Sequence, residues 1–279
     1  MAYKENKLVQ PFLKWAGGKR QLLGDIEKYI PKKISTYYEP FLGGGAVLFY
    51  LQPKKAVVND CNEELMNVYT VVRDNVGELI EELKKHKNES DYFYAIRKLD
   101  RQPDYSQMSD IKKASRIIYL NKTCYNGLFR VNKNGEFNAP FGRYKNPNIV
   151  NDIVLRAVSK YLKGNDIRIL NTDFENAVKG ARRGAFVYFD PPYYPISDSA
   201  NFTGYTLDGF DREDHIRLKK LCDNLSGRGI KFLLSNSSAP FILDLYKDYK
   251  IDFVEANRSI NSNAAKRGEV KEILVRNYE

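Results

Sequence analysis

The chain has almost no histidine or cysteine. Two histidines, His86 and His215, leave little material for a zinc site or a histidine-centred triad, and both read as surface residues. Three cysteines, Cys61, Cys124 and Cys222, are odd in number, far apart and form no CxxC. That pattern points to a reducing cytoplasm and away from a disulfide framework. No apolar run approaches the ~20 residues of a membrane span, so no membrane partner is expected. The opening stretch MAYKENKLVQPFLKW lacks the apolar core and small-residue cleavage site of a signal peptide. Internal repeats and low-complexity segments are missing too.

What remains is an ordinary globular composition with a basic bias. At 279 residues the chain can form one large domain or two unequal ones. A formal charge of +10 suits a polyanionic partner, and 20 tyrosines and 15 phenylalanines interleave with that charge. Aromatic rings among cations favour nucleic acid over a disordered basic tail.

Seven short apolar stretches read as strands: Thr36–Pro40, Lys55–Asn59, Asp166–Leu170, Ala185–Phe189, Ile230–Leu234, Ile251–Ala256 and Val270–Tyr278. Helical spacing separates most of them. Leu65, Val68, Tyr69 and Val72 recur at i, i+3, i+4, i+7, as do Leu218, Leu221, Cys222 and Leu225. The alternation predicts an α/β fold, a mostly parallel sheet covered on both faces. The last two strands have no helix between them and should close the sheet as an antiparallel hairpin. Between the second and third strands the alternation breaks for about 100 residues, far beyond an ordinary connection. The expectation is a sheet domain from 1–61 and 165–279, with 62–164 inserted as a mainly helical subdomain.

Three motifs carry chemistry. In YYEPFLGGGAVLFYL, glycines follow the first strand and open an apolar helix, where backbone can approach a ligand and free N–H groups are available. Asp60 closes the second strand 17 positions after Gly43, placed to accept both hydroxyls of a ribose. Leu48 holds the third-glycine position of the dinucleotide fingerprint, so the glycines alone say little. FLKWAGGKRQLL is not a phosphate-binding P-loop, because Leu13 stands where its first glycine belongs and Arg20 replaces Ser/Thr. It is either a glycine turn around Trp15 or part of a site. DPPYYP, Asp190–Pro195, leaves the fourth strand at the end where ligands bind in open α/β sheets. A proline-stiffened loop would explain the prolines; a site would explain the carboxylate and the rings as well.

Taken in order, FLKWAGGK, EPFLGGG, ND, the inserted region, TDF and DPPY resemble the Dam-type (α-class) DNA adenine-N6 methyltransferases across essentially the whole chain. The nearest resemblance is to the GATC-specific methylases of DpnII-type restriction–modification systems. The resemblance implies a Rossmann-like seven-strand sheet with an inserted target-recognition subdomain. It also implies S-adenosyl-L-methionine as cofactor, double-stranded DNA as substrate, no metal, and a cognate restriction endonuclease as a possible partner. Asp190, Pro191, Pro192 and Tyr193 would be catalytic: the Asp190 carboxylate and the Pro191 carbonyl accept the amine hydrogens, and Tyr193 stacks on a flipped adenine. Trp15, Lys19, Phe41, Gly43, Gly45, Asp60, Asp173, Phe174 and Asp190 would line the cofactor site. Phe174 would stack on the cofactor adenine, although a core role fits it too. Lys14, Tyr125, Asn126, Leu128, Arg130, Pro140 and Arg143 match positions that touch DNA, with the alternative that YNGLFRVNKNGEFNAPFGRYKNPN is a solvated loop. The stretch Asn257–Glu269 joins the final two strands and is polar, basic and long for a hairpin, so it would touch phosphate or be partly disordered without DNA. Rival readings are a cytosine-N4 DNA methyltransferase, an inactive DNA-binding protein on the same fold, and an RNA or protein methyltransferase.

Overall fold

A computed structural model describes residues 6–196, 209–257 and 269–279. A short helix α1, Leu23–Tyr29, precedes strand β1, Tyr37–Glu39; α2, Ala46–Leu51, then leads to β2, Lys55–Asn59. Five helices follow: α3 Glu63–Asp74, α4 Val76–Leu83, α5 Ser90–Arg97, α6 Asp110–Thr123 and α7 Asp152–Gly164. The chain re-enters the sheet as β3, Asp166–Leu170, and continues through α8, Phe174–Ala177, to β4, Phe186–Phe189. Then come α9 Arg212–Gly227, β5 Lys231–Ser237, α10 Pro240–Leu245, β6 Lys250–Asn257 and β7 Glu269–Arg276.

The sheet runs β3-β2-β1-β4-β5-β7-β6. The first five strands are mutually parallel, and β7 is antiparallel to both β5 and β6. The seven-strand, mostly parallel expectation is therefore met, including the antiparallel pair β6–β7. The hairpin does not simply extend the sheet, because β7 slots between β5 and β6. β5 also runs three residues beyond its expected end, through Ser235, Asn236 and Ser237, which pair with β7. Those residues are polar yet fully buried, which is why apolar patterning stopped short of them.

Burial explains the elements. β4 is apolar and buried at all four positions, as expected of a central parallel strand covered on both faces. In α3, Asn62 accepts a hydrogen bond from the Leu65 N–H at 2.9 Å and starts the helix, whose Leu65, Val68, Tyr69 and Val72 are buried. In α9, Asp211 and Asp214 form a reciprocal capping box, and Leu218, Cys222 and Leu225 turn inward. Alternate strand residues feed two cores: Tyr37, Val58, Phe186 and Tyr188 on one face, Tyr38, Val57, Val187 and Phe189 on the other. The first core continues into 62–164 through Leu65, Ile117, Phe129 and Val158.

Both histidines depart from expectation. His215 is fully buried, with its ring edge-on to Tyr194 and Phe210. His86 is half-buried, stacked on Tyr119 and hydrogen-bonded to Tyr92 Oη and Ser115 Oγ, each at 2.9 Å. Burial lowers the pKa of each to about 4, so both pack as neutral aromatic rings. All three cysteines are unpaired thiols. No helix among the described residues is long and apolar enough to cross a membrane.

Asn59 ties the functional edge of the sheet together. From the end of β2, its Nδ2 donates to Pro40 O after β1 and to Thr172 O after β3, both at 3.0 Å. Its Oδ1 accepts from Thr172 N at 2.9 Å. Asn59→Ala should destabilise the protein by about 1–3 kcal/mol for each buried group left unpartnered. Urea unfolding with an unchanged slope checks this; an unchanged midpoint would show that water replaces the amide.

Candidate active site and nucleic-acid interface

The loop after β1 is shaped by two glycines in left-handed backbone, Gly43 (φ 49°) and Gly45 (φ 67°). A Cβ on Gly45 would stand 2.7 Å from Tyr69 Oη, so a side chain does not fit. Tyr69 Oη donates to Gly43 O at 3.0 Å, and Gly43 N donates to Asp60 Oδ2 at 2.9 Å. Asp60 Oδ1 accepts from Asn62 N at 3.0 Å. Burial raises the Asp60 pKa, and these backbone N–H groups oppose the rise. The glycine loop and Asp60 thus form one unit.

Trp15 wedges against this loop. Its Cδ1 lies 3.0 Å from where a Gly43 Cβ would be, and its ring stacks on Phe129 at 4.8 Å and 21°. The neighbouring Lys14 backbone is clasped by Asn121 of α6: Lys14 N donates to Oδ1 at 2.9 Å, and Nδ2 donates to Lys14 O at 2.7 Å. Asn121 Nδ2 also reaches Gly127 O at 3.0 Å. Sequence reading missed Asn121. Its signal was a polar residue one helical turn after Ile117, on the buried side of α6.

Lys19 arrives at the DPPY turn. Its buried ammonium lies 2.9 Å from Asp190 Oδ1, donates to Gly17 O at 2.7 Å and sits 4.5 Å from the Tyr193 ring centroid. Lys19 thus holds Asp190 Oδ1 in a charge-assisted pair. Burial pushes the Asp190 pKa up to about 6; Lys19 opposes the rise and Glu272 adds to it. Tyr193 Oη donates to Glu272 Oε2 at 2.7 Å. The following residue is clamped to β5, with Tyr194 N donating to Asn236 Oδ1 at 3.1 Å and Ser237 Oγ donating to Tyr194 O at 2.6 Å. Glu272, Asn236 and Ser237 were also missed, because their partners lie more than 40 positions away in sequence. Pro191 is buried, while Pro192 and Tyr193 are half-buried.

Phe41 stacks on Phe174 at 5.4 Å and 29°, and the Arg217 guanidinium lies 4.8 Å from the Phe174 ring. Asp173 caps α8 through Glu175 N at 2.9 Å and pairs with Arg217 at 3.0 Å. Phe174 is only 6% exposed and belongs to the second core. A planar ligand reaches its face only where Phe41 or Arg217 gives way.

The recognition candidates lie on two arms joined by antiparallel bridges, Cys124–Phe141 and Val131–Phe137. Tyr125, Asn126, Arg130, Pro140 and Arg143 are exposed, as is Lys14, and Leu128 is half-buried. Asn126 and Arg143 adopt left-handed backbone (φ 57° and 53°). Tyr125 N donates to Pro140 O at 2.8 Å, and Arg130 Nε donates to Asn138 Oδ1 at 2.6 Å. Behind the arms, Asp100 accepts from Phe137 N at 2.7 Å while pairing with buried Arg116 at 2.6 Å, and Arg101 donates to Phe137 O at 2.9 Å. The stretch Asn257–Glu269 lies, apart from its two end residues, outside the described residues.

The sequence is similar to that of known proteins over nearly its whole length. Residues 15–260 match the family model described as D12 class N6 adenine-specific DNA methyltransferase. The chain is 46% identical to the type II methyltransferase M1.LlaDCHI of Lactococcus lactis subsp. cremoris, over 99% of this chain and 98% of the relative. It is 45% identical to the type II methyltransferase M.MjaIII of Methanocaldococcus jannaschii, over 97% and 99%. The DNA adenine methylase of Escherichia coli K12 is 32% identical over 96% and 95%. An adenine-specific family displaces the cytosine-N4 reading. The chain belongs to the D12 class of N6 adenine-specific DNA methyltransferases.

Proposed function

We propose that this enzyme transfers a methyl group from S-adenosylmethionine to N6 of the adenine in GATC duplexes, with the base flipped out of the stack. The observation that carries the reading is the Asp190 carboxylate, paired with buried Lys19 at 2.9 Å beside the Tyr193 ring, at the C-terminal end of a central strand. One lysine does not exhaust the acceptor capacity of a carboxylate, and the N6 amine brings two hydrogens. The Asp190 carboxylate and the Pro191 carbonyl accept them and draw the amine toward tetrahedral geometry. The amine itself is a poor nucleophile, because its lone pair is delocalised into the ring. S-adenosylmethionine supplies a methyl group electrophilic enough that no covalent enzyme intermediate is needed. The task left to the chain is alignment in line. Prolines fix the turn, Tyr193 stacks on the extruded base, and Lys19 holds the carboxylate ionised.

The cofactor fits the residues present. The side-chain-free cradle at Gly43 and Gly45 lies beside the half-buried Asp60, whose oxygens each retain capacity for a ribose hydroxyl. Trp15, Lys19, Phe41, Asp173, Phe174 and Asp190 surround this unit in the reading. Residues 62–164 act as the target-recognition subdomain, with Lys14, Tyr125, Asn126, Leu128, Arg130, Pro140 and Arg143 at the DNA. The Lys14 backbone, the Asn121 amide and Gly127 share one hydrogen-bond cluster, which supports placing Lys14 with this group. The names of the type II relatives support a restriction–modification role. A cytoplasmic location and a cognate endonuclease cutting the same sequence belong to that reading.

Four measurements test the reading. Asp60→Ala should weaken S-adenosylmethionine binding by about 1.5–3 kcal/mol through the loss of charge-assisted hydrogen bonds; unchanged affinity in calorimetry would remove the ribose role. Asp190→Asn turns an acceptor into a donor aimed at the amine, so turnover should collapse while DNA binding persists. In the wild type Asp190 must be ionised to accept the amine hydrogens. Because its pKa is raised to about 6, single-turnover rate should be full above that pH and fall as pH drops through it. A flat profile down to pH 5 would contradict this. Arg130→Ala should cost about 1–3 kcal/mol and relax discrimination at one guanine, as expected of a bidentate contact to O6 and N7. Methylation rates on GATC and its single-base variants at two salt concentrations decide it: equal losses on every duplex would place Arg130 on the phosphate backbone.

A further inference from the structure

Glu272 stands on β7 opposite Ser237 of β5 and Val254 of β6, and it is 8% exposed. Its one hydrogen bond among the described residues comes from Tyr193 Oη at 2.7 Å, and no lysine or arginine of those residues pairs with it. A carboxylate buried in a sheet without a cation is costly, and an apolar residue would extend the Leu274 side of the core at less cost. The hydroxyl at the other end is equally uncalled for by stacking, which needs only a ring face. The pair makes sense as a device that fixes where that face points.

The Tyr193 ring is restrained from three directions. Lys19 Nζ lies 4.5 Å from its centroid, Glu272 holds its hydroxyl, and Asn236 and Ser237 clamp the backbone of the next residue. Without Glu272 the ring keeps its anchor at Cα but loses the restraint at its far end. We propose that Glu272 is a positioning residue for methyl transfer, holding the Tyr193 ring in the plane on which the target adenine rests. The proposal rests on the methyl-transfer reading of Asp190 and Tyr193 above.

Glu272 has a second, electrostatic consequence at the same site. The groups facing Asp190 are Lys19 from the N-terminal loop, Glu272 from β7, Glu39 from β1, Tyr188 on its own strand and Tyr193 in the turn. Burial raises the proton affinity of Asp190 most, Lys19 opposes it, and Glu272 adds to it. Removing the Glu272 charge therefore makes Asp190 more acidic and moves the acid limb of the rate profile to lower pH. A residue whose charge did not reach Asp190 would leave that limb where it is.

The test compares Tyr193→Phe, Glu272→Ala, their double mutant, Glu272→Gln and Tyr193→Ala. Single-turnover methylation is followed over pH, and flipping is followed by the fluorescence of 2-aminopurine at the target position. A hydrogen bond to a charged group is worth about a tenfold change in rate or more. Tyr193→Phe and Glu272→Ala should each lose about that factor, and the double mutant should lose no more than either alone. Both should change the 2-aminopurine signal without weakening duplex binding. Glu272→Gln, which keeps an acceptor oxygen, should recover most of the rate while showing the lowered acid limb. Additive losses, or Tyr193→Phe and Glu272→Ala at the wild-type rate while Tyr193→Ala is crippled, would overturn the role of Glu272 and leave the catalytic reading standing. An unimpaired Tyr193→Ala would instead remove the catalytic reading itself.

Discussion

The site is organised around a negative charge that the fold has taken out of water. Asp190 ends a strand buried on both faces, and desolvation drives its carboxyl toward neutrality. Lys19, itself buried, is the counterweight. Because breaking a buried pair leaves one uncompensated charge, the glycine turn carrying Lys19 and the DPPY turn carrying Asp190 must keep their relative positions. The ammonium that neutralises the carboxylate also packs over the Tyr193 ring, so one cation fixes both the acceptor and the stacking surface.

A second constraint joins chemistry to recognition. Trp15 lies between the glycine loop and Phe129, and Asn121 clasps the Lys14 backbone and Gly127 together. The segment from Leu13 to Lys19 therefore touches the glycine loop, the Asp190 carboxylate and the base of the two arms within a few residues. The arms are held from behind by Asp100, Arg101 and Arg116, which grip Phe137 through backbone hydrogen bonds and a buried ion pair. Rigid support beneath exposed side chains is what a site reading base edges requires.

The strands and the motif order were legible because they depend on local chemistry: apolar runs for parallel strands, glycine where φ is positive, proline where a turn is rigid. The stretch Ser235–Ser237 was not legible as strand, since its burial comes from pairing with β7 rather than from apolar side chains. His215 was misplaced at the surface for a related reason. A lone histidine carries no pattern, and only the approach of Tyr194 and Phe210 makes its environment aromatic.

By itself the sequence determined the α/β alternation, the long excursion between β2 and β3, and the motif order shared with its family, because residue type and near spacing carry that information. Tertiary structure alone decided which of these groups meet. Lys19 and Asp190 lie 171 positions apart in sequence, and Tyr193 meets Glu272 across 79 positions. Such pairings follow from strand order, above all from the insertion of β7 between β5 and β6. Strand order is set by the packing of the whole chain, and no local window of residues contains it.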